Sequence, residues 1–307
     1  MAIQTVKVLI DGSEHELTYN GENQSYESTL NAPATSSYNE EGHYYNVSVS
    51  AYDDAGNSST VDANTEGAIG EALRLIVHEK VKPTITIISP GADAYLSSAQ
   101  PDISIQLRDD DSGINIDSFT LKIDGQESLN SSSSGMTATP TEGGYDITYK
   151  MPTPLQDGQH NISVNVSDND GNIADEATRS FSTDTVAPTL NLTNPPDNFT
   201  TNNPDIDVSG DTNDVTSGPV AVVIKVNEVD QGEVIVEESG AFTKSVHLTT
   251  EGSNTITVTA TDLAGKTTTV TRTVILKTTA PKITSVEIVP NPVDAGQTFI
   301  IRVKVSE

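Results

Sequence analysis

The densest group of residues able to do chemistry is DDDSG, Asp109 to Gly113. Its adjacent carboxylates are hard oxygen ligands, and Asp168 or Asp170 would add to them if the loops converge. Asp109, Asp110, Asp111, Asp168 and Asp170 are therefore the candidate ligands for Ca²⁺, and no other cofactor is expected. The plainer account is an acidic loop leading into a strand, with Gly113 permitting the turn, because no EF-hand spacing is present. The five histidines, at positions 15, 43, 78, 160 and 247, never come within ligand spacing of one another. SSSSG, Ser131 to Gly135, lacks the G-x-S-x-G context of a nucleophilic serine. There is no glycine-rich phosphate loop, and the carboxylates are too many and too scattered to mark a hydrolase pair. The chain is expected not to be an enzyme. Tyr38, Tyr44 and Tyr45 lie near loops and could stack on sugars, although Tyr45 is in register with core positions.

The elements that would position these residues follow from composition. Only 34% of the 307 residues are hydrophobic and 5% aromatic, with no tryptophan, which suits several thin sandwiches better than one thick core. Thr, Ser, Asn, Asp and Val recur, an all-β vocabulary. A formal charge of −28 argues against nucleic acid, whose binding depends on neutralising phosphates, and against anionic membrane surfaces. There is no cysteine, hence no disulfide and no thiolate metal site. MAIQTVKVLIDG lacks the basic and apolar regions of a signal peptide, and no apolar run reaches membrane-spanning length.

One pattern occurs three times: YYNVSVSAYDDAGNSSTV from Tyr44, HNISVNVSDNDGNIADEA from His160 and SNTITVTATDLAGKTTTVT from Ser253. Alternation puts Val47, Val49 and Ala51 on one face, as it does Ile162, Val164 and Val166, and Ile256, Val258 and Ala260. The D-x-x-G elements at Asp53, Asp168 and Asp262 then close a hairpin, since Asp can accept backbone N–H bonds and Gly tolerates positive φ. Prolines 83, 188 and 281 each precede a strand, at the spacing of one seven-stranded sandwich. The expected domains are 1–82, 83–186, 187–280 and a partial segment 281–307. The expected fold is all-β: tandem immunoglobulin-like β-sandwiches, disulfide-free.

DTVAPT, DDDSGINIDSFTLKIDG and the D-x-x-G-N hairpin resemble bacterial Ig-like repeat modules. More narrowly, TVKVLIDG, GHYYNVSVSAYDDAGN and VPNPVDAGQTFIIRVKVSE resemble the Ig-repeat structural proteins of phages and prophages of Firmicutes, often tail-associated. The resemblance implies a virion protein made in the host cytoplasm without a signal peptide and released by lysis.

The two ends read as complementary. TVKVLIDGSEHEL matches FTLKIDGQESL, so the first domain begins where the second is already two strands old. ITSVEIVPNPVDAGQTFIIRVKVSE aligns with the strands that are missing. Segment 282–307 is thus a candidate donor, with Ile283, Val286, Ile288, Phe299, Ile301, Val303 and Val305 as the inserted residues. Val6, Val8 and Ile10 are the candidate acceptor residues, and short proline linkers oppose self-closure. The expected partner is a second copy, head to tail, or another virion protein. The alternatives are a host-surface adhesion or carbohydrate-binding module that recognises surface glycans, and an accessory region of a secreted polysaccharide-degrading enzyme.

Overall fold

The computed structural model describes residues 2–306. Its chain forms two compact units, Met1–Ala94 with Gln100–Leu155 and Gln159–Phe181, and Tyr95–Ala99 with Gln156–Gly158 and Ser182–Glu307. Strand follows strand throughout, as the alternation and turn chemistry require.

The first domain contains β1 (Ile3–Ile10), β2 (Ser13–Asn20), β3 (Ser25–Glu27), β4 (Tyr45–Asn46), β5 (Ser48–Asp53), β6 (Ser58–Val61) and β7 (Arg74–Leu75). One sheet has the order β3-β2-β1-β5-β6, and β4 and β7 form only a two-stranded ladder. A short helix, α1 (Ala68–Ala72), lies between β6 and β7; strand patterning gave no sign of it, because five residues are too few for a helical period. Buried apolar residues are few here: Val6, Val8, Tyr45 and Ala63. Val49 and Ala51, which share the inward face of β5, are only half-buried.

The second sandwich has β8 (Thr84–Ser89), β9 (Ala94–Leu96), β10 (Asp102–Arg108), β11 (Ile114–Ile123), β12 (Met136–Thr141), β13 (Gly144–Lys150), β14 (Gly158–Asp168) and β15 (Ala177–Thr183). Its sheets are β12-β13-β10-β8 and β11-β14-β15-β9. Alternate residues of β10, β11 and β14 face inward, so Ile103, Leu107, Phe119, Leu121, Ile162 and Val164 are completely buried.

The third sandwich has β16 (Thr189–Asn194), β17 (Phe199–Thr201), β18 (Asp205–Asn213), β19 (Ala221–Val226), β20 (Val229–Asp230), β21 (Ala241–His247), β22 (Gly252–Thr261) and β23 (Thr267–Leu276). Its sheets are β16-β18-β21 and β17-β23-β22-β19-β20, with β17 parallel to β23 and the other pairs antiparallel. Ile224, Ile256, Val258 and Val274 form the centre of the core between them.

The last two strands, β24 (Lys282–Val289) and β25 (Ile300–Ser306), form a hairpin sheet of their own. Among the described residues no helix is long and apolar enough to cross a membrane.

The same two-residue turn closes the hairpin after β1 and after β19, and follows β11. It places Asp11-Gly12, Asp124-Gly125 and Asn227-Glu228 at φ near 46 and 69, 51 and 67, and 50 and 67°. Glycine tolerates that second position without strain; Glu228 does not.

Candidate functional sites: repeated acidic clusters and an uncovered hairpin

The D-x-x-G turn is built alike in all three repeats. The backbone N–H four residues on donates to the Asp Oδ1: Asn57 to Asp53, Asn172 to Asp168 and Lys266 to Asp262, each at 2.8 Å. Gly56, Gly171 and Gly265 complete the turn at φ of 87, 91 and 81°. The turn holds each aspartate at the end of a strand, with its own carboxylate buried.

In the second sandwich those loops bring Asp109 and Asp168 together, as the calcium expectation requires, and add Glu79. Asp109 and Asp168 are buried and Glu79 half-buried. Asp109 Oδ1 accepts from the Gly113 N–H at 2.8 Å. The Asn172 side-chain amide occupies the space between the other two, donating to Asp168 Oδ2 at 2.7 Å and to Glu79 Oε1 at 3.1 Å. Burial, reinforced by the Asp168 carboxyl, pushes Glu79 above the usual carboxylate range.

The remaining three calcium candidates turn elsewhere. Asp110 is exposed. Asp111 accepts from the Ser36 N–H at 2.9 and 3.0 Å. Asp170 accepts from the Glu79 N–H at 2.8 Å and pairs with His78 Nδ1 at 3.0 Å. Asp111 and Asp170 therefore tie the first domain and the linker to the second sandwich. Their oxygens accept these bonds, so of the five candidates only Asp109 and Asp168 come together in one cluster.

The third sandwich repeats the cluster with Asp184, Asp214 and Asp262. The linker acids were missed by sequence reasoning, yet a signal existed. Glu79 and Asp184 each stand four residues before a linker proline, Pro83 and Pro188, and Asp109 and Asp214 each lie thirty residues beyond them.

At the chain's other end, every donor candidate is solvent-exposed. Ile283, Val286 and Ile288 of β24 face Val305, Val303 and Ile301 of β25 in register. These six side chains are 42–64% exposed, and Phe299 is 49% exposed. The opposite face carries Arg302 beside Glu287 at 3.3 Å and, toward the turn, the pair Val289 and Ile300. Glu307, the final residue of the donor segment, lies outside the described residues, as does Met1 of the first domain. The acceptor candidates are not open. Val6 and Val8 are 8% and 6% exposed and Ile10 is half-buried, because the chain's own residues already cover that face of β1.

The loop tyrosines are also engaged. Tyr45 is buried, with its hydroxyl 2.7 Å from Thr35 Oγ1. Tyr38 stacks on His43 at 4.4 Å between centroids, and Arg74 lies over the Tyr44 ring at 5.1 Å. A 550 Å³ groove in the third sandwich is lined by Val222, Val234, Val236, Glu233 and Glu237, with no ring on which a sugar could stack.

A family model described as bacterial Ig domain matches residues 83–174, and one described as glucodextranase, domain B, matches residues 188–278. No curated protein matches the chain. Among solved structures, the fibronectin(III)-like modules of Clostridium thermocellum CbhA are similar at 18% identity and a TM-score of 0.41, covering 63% of this chain and 94% of that one. Sidekick-1 immunoglobulin domains 1–5 align at 15% identity and a TM-score of 0.38, over 99% of this chain and 60% of that chain. Dimeric latent PorU from Porphyromonas gingivalis aligns at 15% identity and a TM-score of 0.31, over 90% of this chain and 30% of its own. The chain is a disulfide-free tandem of immunoglobulin-like β-sandwiches, and its residues 83–174 are similar to the bacterial Ig domain.

Proposed function

We propose that this chain is a non-enzymatic structural module of a phage particle, associated with the tail, that joins to a neighbouring copy through its C-terminal hairpin. The observation that carries the proposal is the uncovered apolar face of β24–β25. This antiparallel pair corresponds to β8–β10 of the second sandwich, where Ile87, Ile105 and Leu107 are buried. Among the described residues of the first domain, the only sheet beside the five-stranded one is the β4–β7 ladder. Burying the exposed half of six Val and Ile side chains would contribute about 6 kcal/mol, at about 2 kcal/mol for a whole side chain. Backbone pairing along a sheet edge would add to this, against the entropy cost of association. Because Val6 and Val8 are already covered, the hairpin must displace or extend the β4–β7 side of the first domain. The phage assignment rests on the resemblance of the opening and closing segments. It carries with it synthesis in the host cytoplasm and presence in the virion.

The test is native mass by light scattering, comparing the full chain with one ending at Pro281. Concentration-dependent oligomers of the full chain and a monomeric truncation support the proposal. Equal monomeric masses overturn exchange between copies.

A second function, as an accessory region of a polysaccharide-degrading enzyme, is favoured by the match of residues 188–278 to glucodextranase domain B. Cosedimentation with insoluble glucan distinguishes it, since a spacer leaves the chain in the supernatant.

A further inference from the structure

The three repeats satisfy the second oxygen of the hairpin aspartate differently. Asn57 Nδ2 donates to Asp53 Oδ2 at 2.8 Å, and Asn172 Nδ2 donates to Asp168 Oδ2 at 2.7 Å. In the third repeat Lys266 stands where the asparagine would be. Its backbone N–H still reaches Asp262 Oδ1, but Asp262 Oδ2 is buried with no hydrogen-bond partner. A buried carboxylate oxygen left without a donor is costly, and it marks a missing positive or donating group.

The surroundings deepen that deficit. Asp184 is fully buried, Asp262 is 6% exposed and Asp214 is half-buried. One carboxylate oxygen from each lies within 4.8 Å of the other two. The buried Ser217 hydroxyl reaches both Asp184 Oδ2 and Asp214 Oδ1, and its single proton can serve only one of them at a time. Among the described residues no ion pair to Lys, Arg or His involves any of the three acids. Carboxylates this close repel one another, and a cation between them would turn that repulsion into attraction.

We propose that Asp184, Asp214 and Asp262 hold a hard divalent cation, calcium, with the Ser217 hydroxyl beside it. The donor set is oxygen only, with neither the imidazole nor the thiolate that zinc prefers, and calcium accepts irregular oxygen cages. Asp214 also lines the open 550 Å³ groove, which gives the ion a path from solvent. In the matching cluster of the second sandwich the Asn172 amide already donates to Glu79 and Asp168, so a donor stands where the third sandwich lacks one. Calcium would pin Asp184, where the chain enters the third sandwich, to the loops that follow β18 and β22. None of this depends on the phage assignment or on hairpin exchange.

The experiment is calorimetric titration of the EDTA-stripped full chain with CaCl₂, with thermal unfolding recorded alongside. The expected result is one ion per chain and a calcium-dependent rise in Tm. Asp262→Asn should weaken the affinity at least tenfold. Lys266→Asn restores the amide without removing a carboxylate and should weaken it similarly, in a protein that still folds. Asp109→Asn should leave the affinity unchanged. The proposal is overturned by absence of calcium binding, by an affinity that survives both Asp262→Asn and Lys266→Asn, or by one lost in Asp109→Asn.

Discussion

Replacing Asn172 with alanine removes the amide that separates Glu79 from Asp168. Two of its bonds end on carboxyl oxygens, at 2.7 and 3.1 Å, and a third ends on the Glu79 carbonyl at 3.2 Å. Hydrogen bonds to charged groups are worth at least about 1.5 kcal/mol each, so the two carboxylate bonds together predict a loss of about 3 kcal/mol at neutral pH. The matched change Asn57→Ala removes a similar 2.8 Å bond to Asp53, but Asp53 belongs to no acidic cluster among the described residues. One carboxylate bond is lost there where Asn172 loses two, so its effect should be about half as large. Native-state hydrogen exchange measures both changes, since amides in β14 report on the second sandwich and those in β22 serve as an internal reference. Asn172→Ala should speed exchange in β14 by about two orders of magnitude and leave β22 unchanged. A loss below about 1 kcal/mol would refute the idea that the amide bridges the two carboxyls, as would an equal loss in Asn57→Ala.

Two further outcomes are expected. Glu228→Gly relieves a left-handed non-glycine residue in the third turn, where the other repeats have Gly12 and Gly125. The relief of about 1–2 kcal/mol, less about 0.5–1 kcal/mol for a more flexible unfolded chain, leaves a small gain in stability. Urea unfolding checks it, and a less stable variant would show that Glu228 is unstrained. Because burial and Asp168 raise the Glu79 pKa in the folded protein, Glu79 contributes most stability below its unfolded value near 4.5. That contribution is lost as pH rises through the raised folded value. Glu79→Gln should therefore be more stable relative to the native chain at pH 7 than in acid, and parallel pH profiles of Tm would contradict this.

Much of the fold was legible in the sequence because local chemistry decides it. The D-x-x-G motif needs only an aspartate, a glycine and the N–H four residues along, all within one turn, and all three copies fold alike. Strand faces were legible for the same reason: Ile162, Val164, Ile256 and Val258 alternate inward as period two requires. The acidic clusters were only half legible. Asp109 and Asp168 were found by local density, but density also selected Asp110, Asp111 and Asp170, which the fold turns outward or toward the first domain. Glu79 and Asp184 escaped because their partners lie thirty or more residues away, beyond the reach of any periodicity. Cover over the first sheet was misjudged as well. Val6 and Val8 align with the buried Phe119 and Leu121, but the irregular stretch between β3 and β4 and the segment after β6 carry no strand signal that would reveal residues such as Ala63 as cover.

The pairing of β17 with β23 has a consequence under tension. These strands lie near opposite ends of the third sandwich and run parallel, with Phe199, Thr200 and Thr201 opposite Val274, Ile275 and Leu276. The ladder is extended by the Lys277 N–H donating to the Thr201 carbonyl at 2.8 Å. Once β16 has peeled away, a pull on the two ends of the sandwich drags β17 and β23 in opposite directions along their own axes. Their hydrogen bonds are then loaded together in shear, not opened one after another like a zip. Among the described residues the edge strand β6 of the first domain pairs only with β5, antiparallel. A stretched chain would therefore yield there while the third sandwich still bears the load.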